Sequence, residues 1–251
     1  MSATKFSLTL LLKLWERNAT MLRPARLVLI AVLILWMGDA TPSQAQEIQL
    51  GIDFATVIPR GEFKQNIDNN GYGVGGQFAV RVARSPILLG SDLGFVNYGS
   101  EERTEQLSPS FPEIELKVRT NNNIVWTHFM LRAQPRTGSV RPYVDGLIGF
   151  KYLFTDTSIT NDFNDEEIAS TKNFSDLTLS YGFGGGVQFR LAETGRGRQI
   201  LFDTKLRYLR GSRAEYLKKG SIRRDNGTVS FDVLSSRTDV LAFQAGITFR
   251  F

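Results

Sequence analysis

The sequence predicts an all-β fold, an eight-stranded antiparallel up-and-down transmembrane β-barrel. Three observations predict it: an N-terminus built for export, eight segments in which apolar and polar residues alternate, and connections that alternate between long and short. Alternation alone is also the pattern of a strand in a soluble sandwich, with one face to the core and the other to water. Its repetition in an exported chain is what favours a membrane barrel.

Export is read from residues 21 to 47, "MLRPARLVLIAVLILWMGDATPSQAQE". Arg23 and Arg26 precede an apolar run of 12 residues, Leu27 to Gly38, and the stretch ends in the small-x-small site Ser43-Gln44-Ala45. Twelve helical residues reach only about 18 Å, short of the roughly 30 Å bilayer core, so the run suits a cleaved signal peptide better than an anchor. Residues 1–45 are therefore expected to be removed, leaving one barrel domain over 46–251. Residues 1–20 precede a second start, Met21, and fit an over-extended reading frame or a long charged region.

The segments follow in order. Ile48 to Thr56 sets Ile48, Leu50, Ile52 and Phe54 against Gln49, Gly51, Asp53 and Ala55. Tyr72 to Ala83 sets Tyr72, Val74, Phe78, Val80 and Val82 against glycines, Gln77 and Arg81. After a turn at Arg84-Ser85-Pro86, Ile87, Leu89, Leu93 and Phe95 oppose Gly90, Asp92 and Gly94. Val125 to Ala133 opposes Val125, Phe129 and Leu131 to Trp126, His128, Met130 and Arg132. Val140 to Phe154 opposes Val144, Ile148, Phe150 and Tyr152 to Tyr143, Asp145, Gly149 and Lys151. In Leu177 to Leu191 seven apolar positions face glycines, Thr178, Ser180, Gln188 and Arg190. Ile200 to Tyr208 sets Ile200, Phe202 and Leu206 against Asp203, Lys205 and Arg207. The last segment, "LAFQAGITFRF", carries Phe243, Ile247, Phe249 and Phe251 on one face.

The polar faces hold a candidate lumen charge network of both signs: Asp53, Arg81, Asp92, Arg132, Asp145, Lys151, Arg190, Asp203, Lys205 and Arg207. In a sandwich these would be ordinary surface; in a barrel they line the lumen, and the apolar faces meet lipid. The connections run 57–71, 84–86, 97 to about 113, 134–139, 155–176, 192–199 and 210–232. Long outer loops and short periplasmic turns would give this order. The fourth strand is expected to run from Glu113 through Asn121-Asn122-Asn123 to Ala133, unless the asparagines turn a hairpin and change the strand count.

Residues 123–154, "NIVWTHFMLRAQPRTGSVRPYVDGLIGFKYLF", and 237–251, "RTDVLAFQAGITFRF", resemble the middle hairpin and closing strand of the outer-membrane β-barrel family related to OmpA and OprF. The resemblance covers nearly the whole mature chain as a pattern. The sequence stops at the barrel, so that family's peptidoglycan-binding domain is not expected; the export signal, the eight segments and the alternating connections predict a monomer in the outer membrane of a Gram-negative bacterium. The resemblance implies that Phe251, with Phe249, Ile247 and Phe243, forms a signal read by the barrel-assembly machinery, by adding this strand to an exposed edge.

Little in the sequence points to catalysis. The chain has no cysteine, which removes disulfides, thiolate metal sites and cysteine nucleophiles. The single histidine, His128, is expected to pack in the lumen; a barrel deacylase would want serine two residues on, where Met130 stands. "NDFNDEE" (161–167) lacks the glycine turn of a calcium loop, and "YGFGGG" has no following helix to make a phosphate loop. Asn226-Gly227 suits a tight turn. No metal and no cofactor are expected.

Removing residues 1–45 leaves 25 basic against 23 acidic residues, so the overall pI of about 9.5 is partly the leader's and argues for no nucleic-acid partner. The loops differ in charge: 155–172 carries a net −4, and 210–228 a net +4. Mutual neutralisation explains this blandly; otherwise Arg213, Lys218, Lys219, Arg223 and Arg224 are candidate contacts for lipopolysaccharide phosphates. Eight strands leave a lumen that side chains can fill. The expected role is structural or surface-interacting with little or no open pore, the alternatives being a small porin-like channel or a lipid-modifying barrel enzyme.

Overall fold

The computed structural model describes residues 47–108, 111–161, 167–194, 197–225 and 228–251, with the side chains of 105–116, 161–169 and 223–229 outside the description. The elements in chain order are β1 (Ile48–Pro59), α1 (Gly61–Asn66), β2 (Gly71–Arg81), β3 (Ile87–Ser108), β4 (Phe111–Ala133), β5 (Val140–Asn161) and β6 (Glu167–Glu193). They continue with β7 (Gln199–Gly211), β8 (Arg213–Tyr216), β9 (Ile222–Asp225), β10 (Thr228–Phe231), β11 (Leu234–Arg237) and β12 (Val240–Arg250). Eight of these, β1 to β7 and β12, pair with their neighbours in a closed antiparallel barrel. The seam is continuous from Gln49↔Arg250 to Pro59↔Val240. Closure leaves the spanning part no free sheet edge.

Period-2 alternation sorts the side chains as the pattern demands, with apolar residues outward. Phe54, Val74, Leu93, Phe129, Ile148, Phe183, Leu206 and Phe243 are all exposed on the barrel wall, Phe129 to 78%. Inward, the largest fully buried side chains include Arg81, Arg132, Arg141 and Arg207. This inverts a water-soluble fold, and it is the arrangement of a barrel whose outside solvent is hydrocarbon.

Two expected connections are instead strand. β3 and β4 stay paired out to Ser108↔Phe111, and β5 and β6 to Thr160↔Glu167, so these strands run 22 to 27 residues. The alternation stops where they leave the apolar belt, because beyond it both faces are wet and only backbone pairing continues. Asn121 to Asn123 lie inside β4 and make no turn. They form a polar rung: Asn97 donates to Asn123 at 3.0 Å, Asn123 to Asp156 at 2.6 Å, and Thr155 to Asn122 at 2.7 Å. Residues 1–46, most of the acidic loop at 162–166, and Asn226-Gly227 lie outside the described residues.

The other two long connections fold over the end of the lumen opposite the short turns. Residues 60–70 carry α1, and residues 212–239 carry β8 to β11 as two small antiparallel ribbons. Phe63 of α1 is buried edge-on between Tyr216 (5.0 Å between centroids) and Tyr98 (5.9 Å). Beneath it lies an apolar interior of Ala55, Val57, Val96, Ile124, Leu209 and Val240. Trp126 closes this layer over Gly94, where a Cβ would stand 2.0 Å from the indole ring.

Candidate functional site in the barrel interior

Below Trp126 the lumen is polar and cross-braced. Asp145 on β5 takes bonds from Nε (2.7 Å) and Nη2 (3.0 Å) of Arg132 on β4, and from Nη2 of Arg207 on β7 at 2.6 Å. Arg207 Nη1 also reaches Asp92 on β3 at 2.6 Å, and Lys205 reaches Asp53 on β1 at 2.6 Å. Asp203 accepts from Tyr143 at 2.6 Å, Gln77 at 2.8 Å and Gln188 at 3.0 Å. Arg132 also lies 3.7 Å over the Tyr143 ring. The network thus joins strands on opposite sides of the barrel, and buried charges of this kind stand only when paired and hydrogen-bonded.

Seven of the ten sequence-predicted lumen residues meet here: Asp53, Asp92, Arg132, Asp145, Asp203, Lys205 and Arg207. The other three lie elsewhere. Arg81 sits at the mouth where β1 begins and β12 ends, and Lys151 lies in the apolar layer, donating to the carbonyls of Leu209 and Thr238 at 3.2 and 2.8 Å. Arg190 is a correction. It has the right parity, but a bulge between Arg190 and Ala192 ends the regular register, and its side chain is exposed and paired with Glu193 at 2.7 Å.

Alternation placed Gln77, Gln188 and Gln244 inward without marking them as members of the network, because they carry no charge. Sequence spacing also missed the partner of His128. Ser180, 52 residues away on β6, bonds its Nε2 at 2.9 Å, and Asp92 stands 3.9 Å from its Nδ1. The three types are those of a nucleophilic triad. All three side chains are sealed inside the wall, Asp92 is committed to Arg207 and Trp126, and 3.9 Å is too long for a histidine-orienting hydrogen bond. The arrangement is that of a packed polar core.

At the mouth where β1 begins and β12 ends, Glu47 is clamped by Nε (2.8 Å) and Nη2 (2.9 Å) of Arg81 and by Nη2 of Arg250 at 2.6 Å. Burial works against ionising Glu47, but the bonds from Arg81 and Gln49 and the charge of Arg250 more than offset it and hold its carboxyl below the ordinary range. Of the terminal-strand residues expected to form the assembly signal, Phe243, Phe249 and Phe251 are exposed on the outer wall and Ile247 is half-buried. Phe251 exchanges backbone bonds with Ile48 at 2.9 and 3.2 Å. In the basic loop Arg213 pairs with Glu62 at 3.2 Å, Lys218 and Lys219 are exposed, and the side chains of Arg223 and Arg224 lie outside the described residues.

No protein-family model and no curated protein matches the chain. Among solved structures it is similar to a major outer membrane protein of Thermus thermophilus, at 12% identity over 83% of this chain and 100% of that one, with a TM-score of 0.44. It is also similar to OprG of Pseudomonas aeruginosa, at 13% identity over 83% and 97%, with a TM-score of 0.40. A third is the N-terminal β-barrel domain of Pseudomonas aeruginosa OprF, at 11% identity over 82% and 100%, with a TM-score of 0.32.

Proposed function

We propose that the chain is an integral protein of a bacterial outer membrane, exported through a cleaved leader at residues 1–45, with a structural or surface-interaction role and no open pore. The observation that carries this reading is the double seal of the lumen: a cross-braced ionic layer joining Asp53, Asp92, Arg132, Asp145, Asp203, Lys205 and Arg207, and above it the apolar layer capped by Phe63. An apolar wall favours hydrocarbon around it, and the short connections after β2, β4 and β6 (82–86, 134–139 and 194–198) favour the periplasm at that end. The exposed Lys218 and Lys219 at the other end suit lipopolysaccharide phosphates. With His128 and Ser180 sealed, no step on a lipid acyl chain is assigned to them.

The test is purified protein in planar bilayers, alongside fractionation of cells producing the full chain. Protein in the outer-membrane fraction with conductance at the bilayer baseline is expected. Steady openings of porin size would overturn the closed reading, and protein that stays soluble without detergent would overturn the membrane assignment.

A further inference from the structure

We propose that the periplasmic mouth of the barrel holds an anion, a phosphate or carboxylate group, between Arg141 and Arg250. Both guanidiniums converge on one neutral acceptor: Arg141 donates through Nη2, and Arg250 through Nη1 at 3.0 Å, to the same Oε1 of Gln199. An amide oxygen has lone pairs for two donors but no charge, so it does not cancel the repulsion between the cations. Arg141 is 1% exposed, and after its Nε has bonded Gly138 O at 3.0 Å its Nη1 has no hydrogen-bond partner among the described residues.

The carboxylate at hand is already used. Glu47 is bracketed by Arg81 and by the other edge of Arg250, so three largely buried guanidiniums share one negative charge. The turns around the mouth add Arg84, Arg136 and Arg198, while Glu193 is taken by Arg190. A buried guanidinium is unfavourable unless it meets an anion, and its planar fork matches the paired oxygens of a phosphate or carboxylate. Arg141, Gln199 and Arg250 lie on the inner face of β5, β7 and β12, as the alternation of burial along those strands requires. Arg250 is the more open of the two, so a soluble periplasmic anion would enter on its side, and a lipid headgroup phosphate would come over the rim.

The experiment uses the barrel in phosphatidylcholine nanodiscs, with inorganic phosphate replacing chloride at constant ionic strength. Binding is followed by thermal melting and by the arginine Nε–H resonances. The expected result is a saturable rise in Tm with shifts at Arg141 and Arg250. The apparent Kd should weaken about tenfold or more when one charge-assisted pair is lost, in Arg141→Gln and in Arg250→Gln, and stay unchanged in Lys64→Gln, on α1 at the opposite end of the barrel. Arg250 is partly open to solvent, so Arg250→Gln carries the test should Arg141→Gln fail to fold. Phosphatidylglycerol discs that raise Tm without added phosphate, in the wild type and not in Arg250→Gln, support the site and identify a headgroup as the source. No response to either phosphate source, or an equal response in wild type and Arg250→Gln, overturns the proposal.

Discussion

Gly246 pairs with Asp53 in the β1–β12 seam, and a Cβ there would stand 2.0 Å from the carbonyl oxygen of Ile52 and 2.6 Å from the Cα of Asp53. Both obstacles are backbone of the closing seam, so neither can swing aside. Gly246→Leu is therefore expected to slow or prevent refolding from urea into detergent micelles even in vitro, at the upper end of the about 1–3 kcal/mol of ordinary overpacking or beyond it. Normal refolding yield would refute the close approach. Glu47 gives a second residue-scale prediction, through pH. Its folded pKa lies below the ordinary value, so its contribution is present above the normal glutamate range and is lost as pH falls through the lowered folded value. Urea midpoints measured from about pH 6 down to about pH 3 should fall more steeply for the wild type than for Glu47→Gln, the variant being already weaker at neutral pH. Parallel profiles would exclude the linkage. At this scale charge was the legible property: Asp145 and Arg207 stood out on polar faces. Gln77, Gln188, Gln199 and Ser180 did not, because an uncharged side chain becomes a partner only when folding brings another strand across from it.

At the scale of the element, legibility follows the solvent. Strands between lipid and lumen must alternate, so β1, β2, β7 and β12 can be read from sequence almost to their ends. The outer halves of β3 to β6 cannot, since between water and water a strand such as Glu101 to Ser108 has no face to keep apolar, and its pairing with β4 leaves no periodic trace. The same reasoning explains α1: six residues, too short for a helical repeat, whose one informative side chain, Phe63, finds its pocket only against Tyr98 and Tyr216. β12 carries a prediction of its own. Phe251 is 50% exposed at the rim and keeps its place through backbone bonds to Ile48, so its side chain contributes only part of the about 1.5–3 kcal/mol of a fully buried aromatic. Phe251→Asp should lower the amount of barrel reaching the outer membrane, while the in-vitro refolding midpoint moves by about 1 kcal/mol or less. Surface yield and refolding measured on the same variant check this; normal assembly in cells would remove the signal reading and leave an amphipathic strand.

For the whole molecule, the lumen contains two barriers in series that fail in different ways. The outer one is a clasp: Phe63 between two tyrosines, Tyr216 held by Asn66 at 2.9 Å and Ser236 at 2.6 Å, and Tyr98 by the carbonyl of Leu217 at 3.2 Å. Its members come from α1, β3 and the ribbons of residues 212–239, and loop segments of this kind can open locally at less than the cost of unfolding the barrel. The inner one is the ionic layer, in which Arg207 is bonded to Asp92, Asp145 and Gln244 at once. Moving any member leaves a buried charge unpaired, so the layer yields only together with the barrel. Phe63→Ala should therefore weaken the clasp by about 3–5 kcal/mol and expose residues 212–239 to added protease, while conductance stays at the wild-type baseline. Limited proteolysis and single-channel recording of the same preparation check both halves. A protease-resistant variant would mean that Phe63 is not the keystone of the clasp. Steady openings from Phe63→Ala alone would mean that ions pass the polar layer once the clasp is loosened, and the molecule would then be a gated channel rather than a closed barrel.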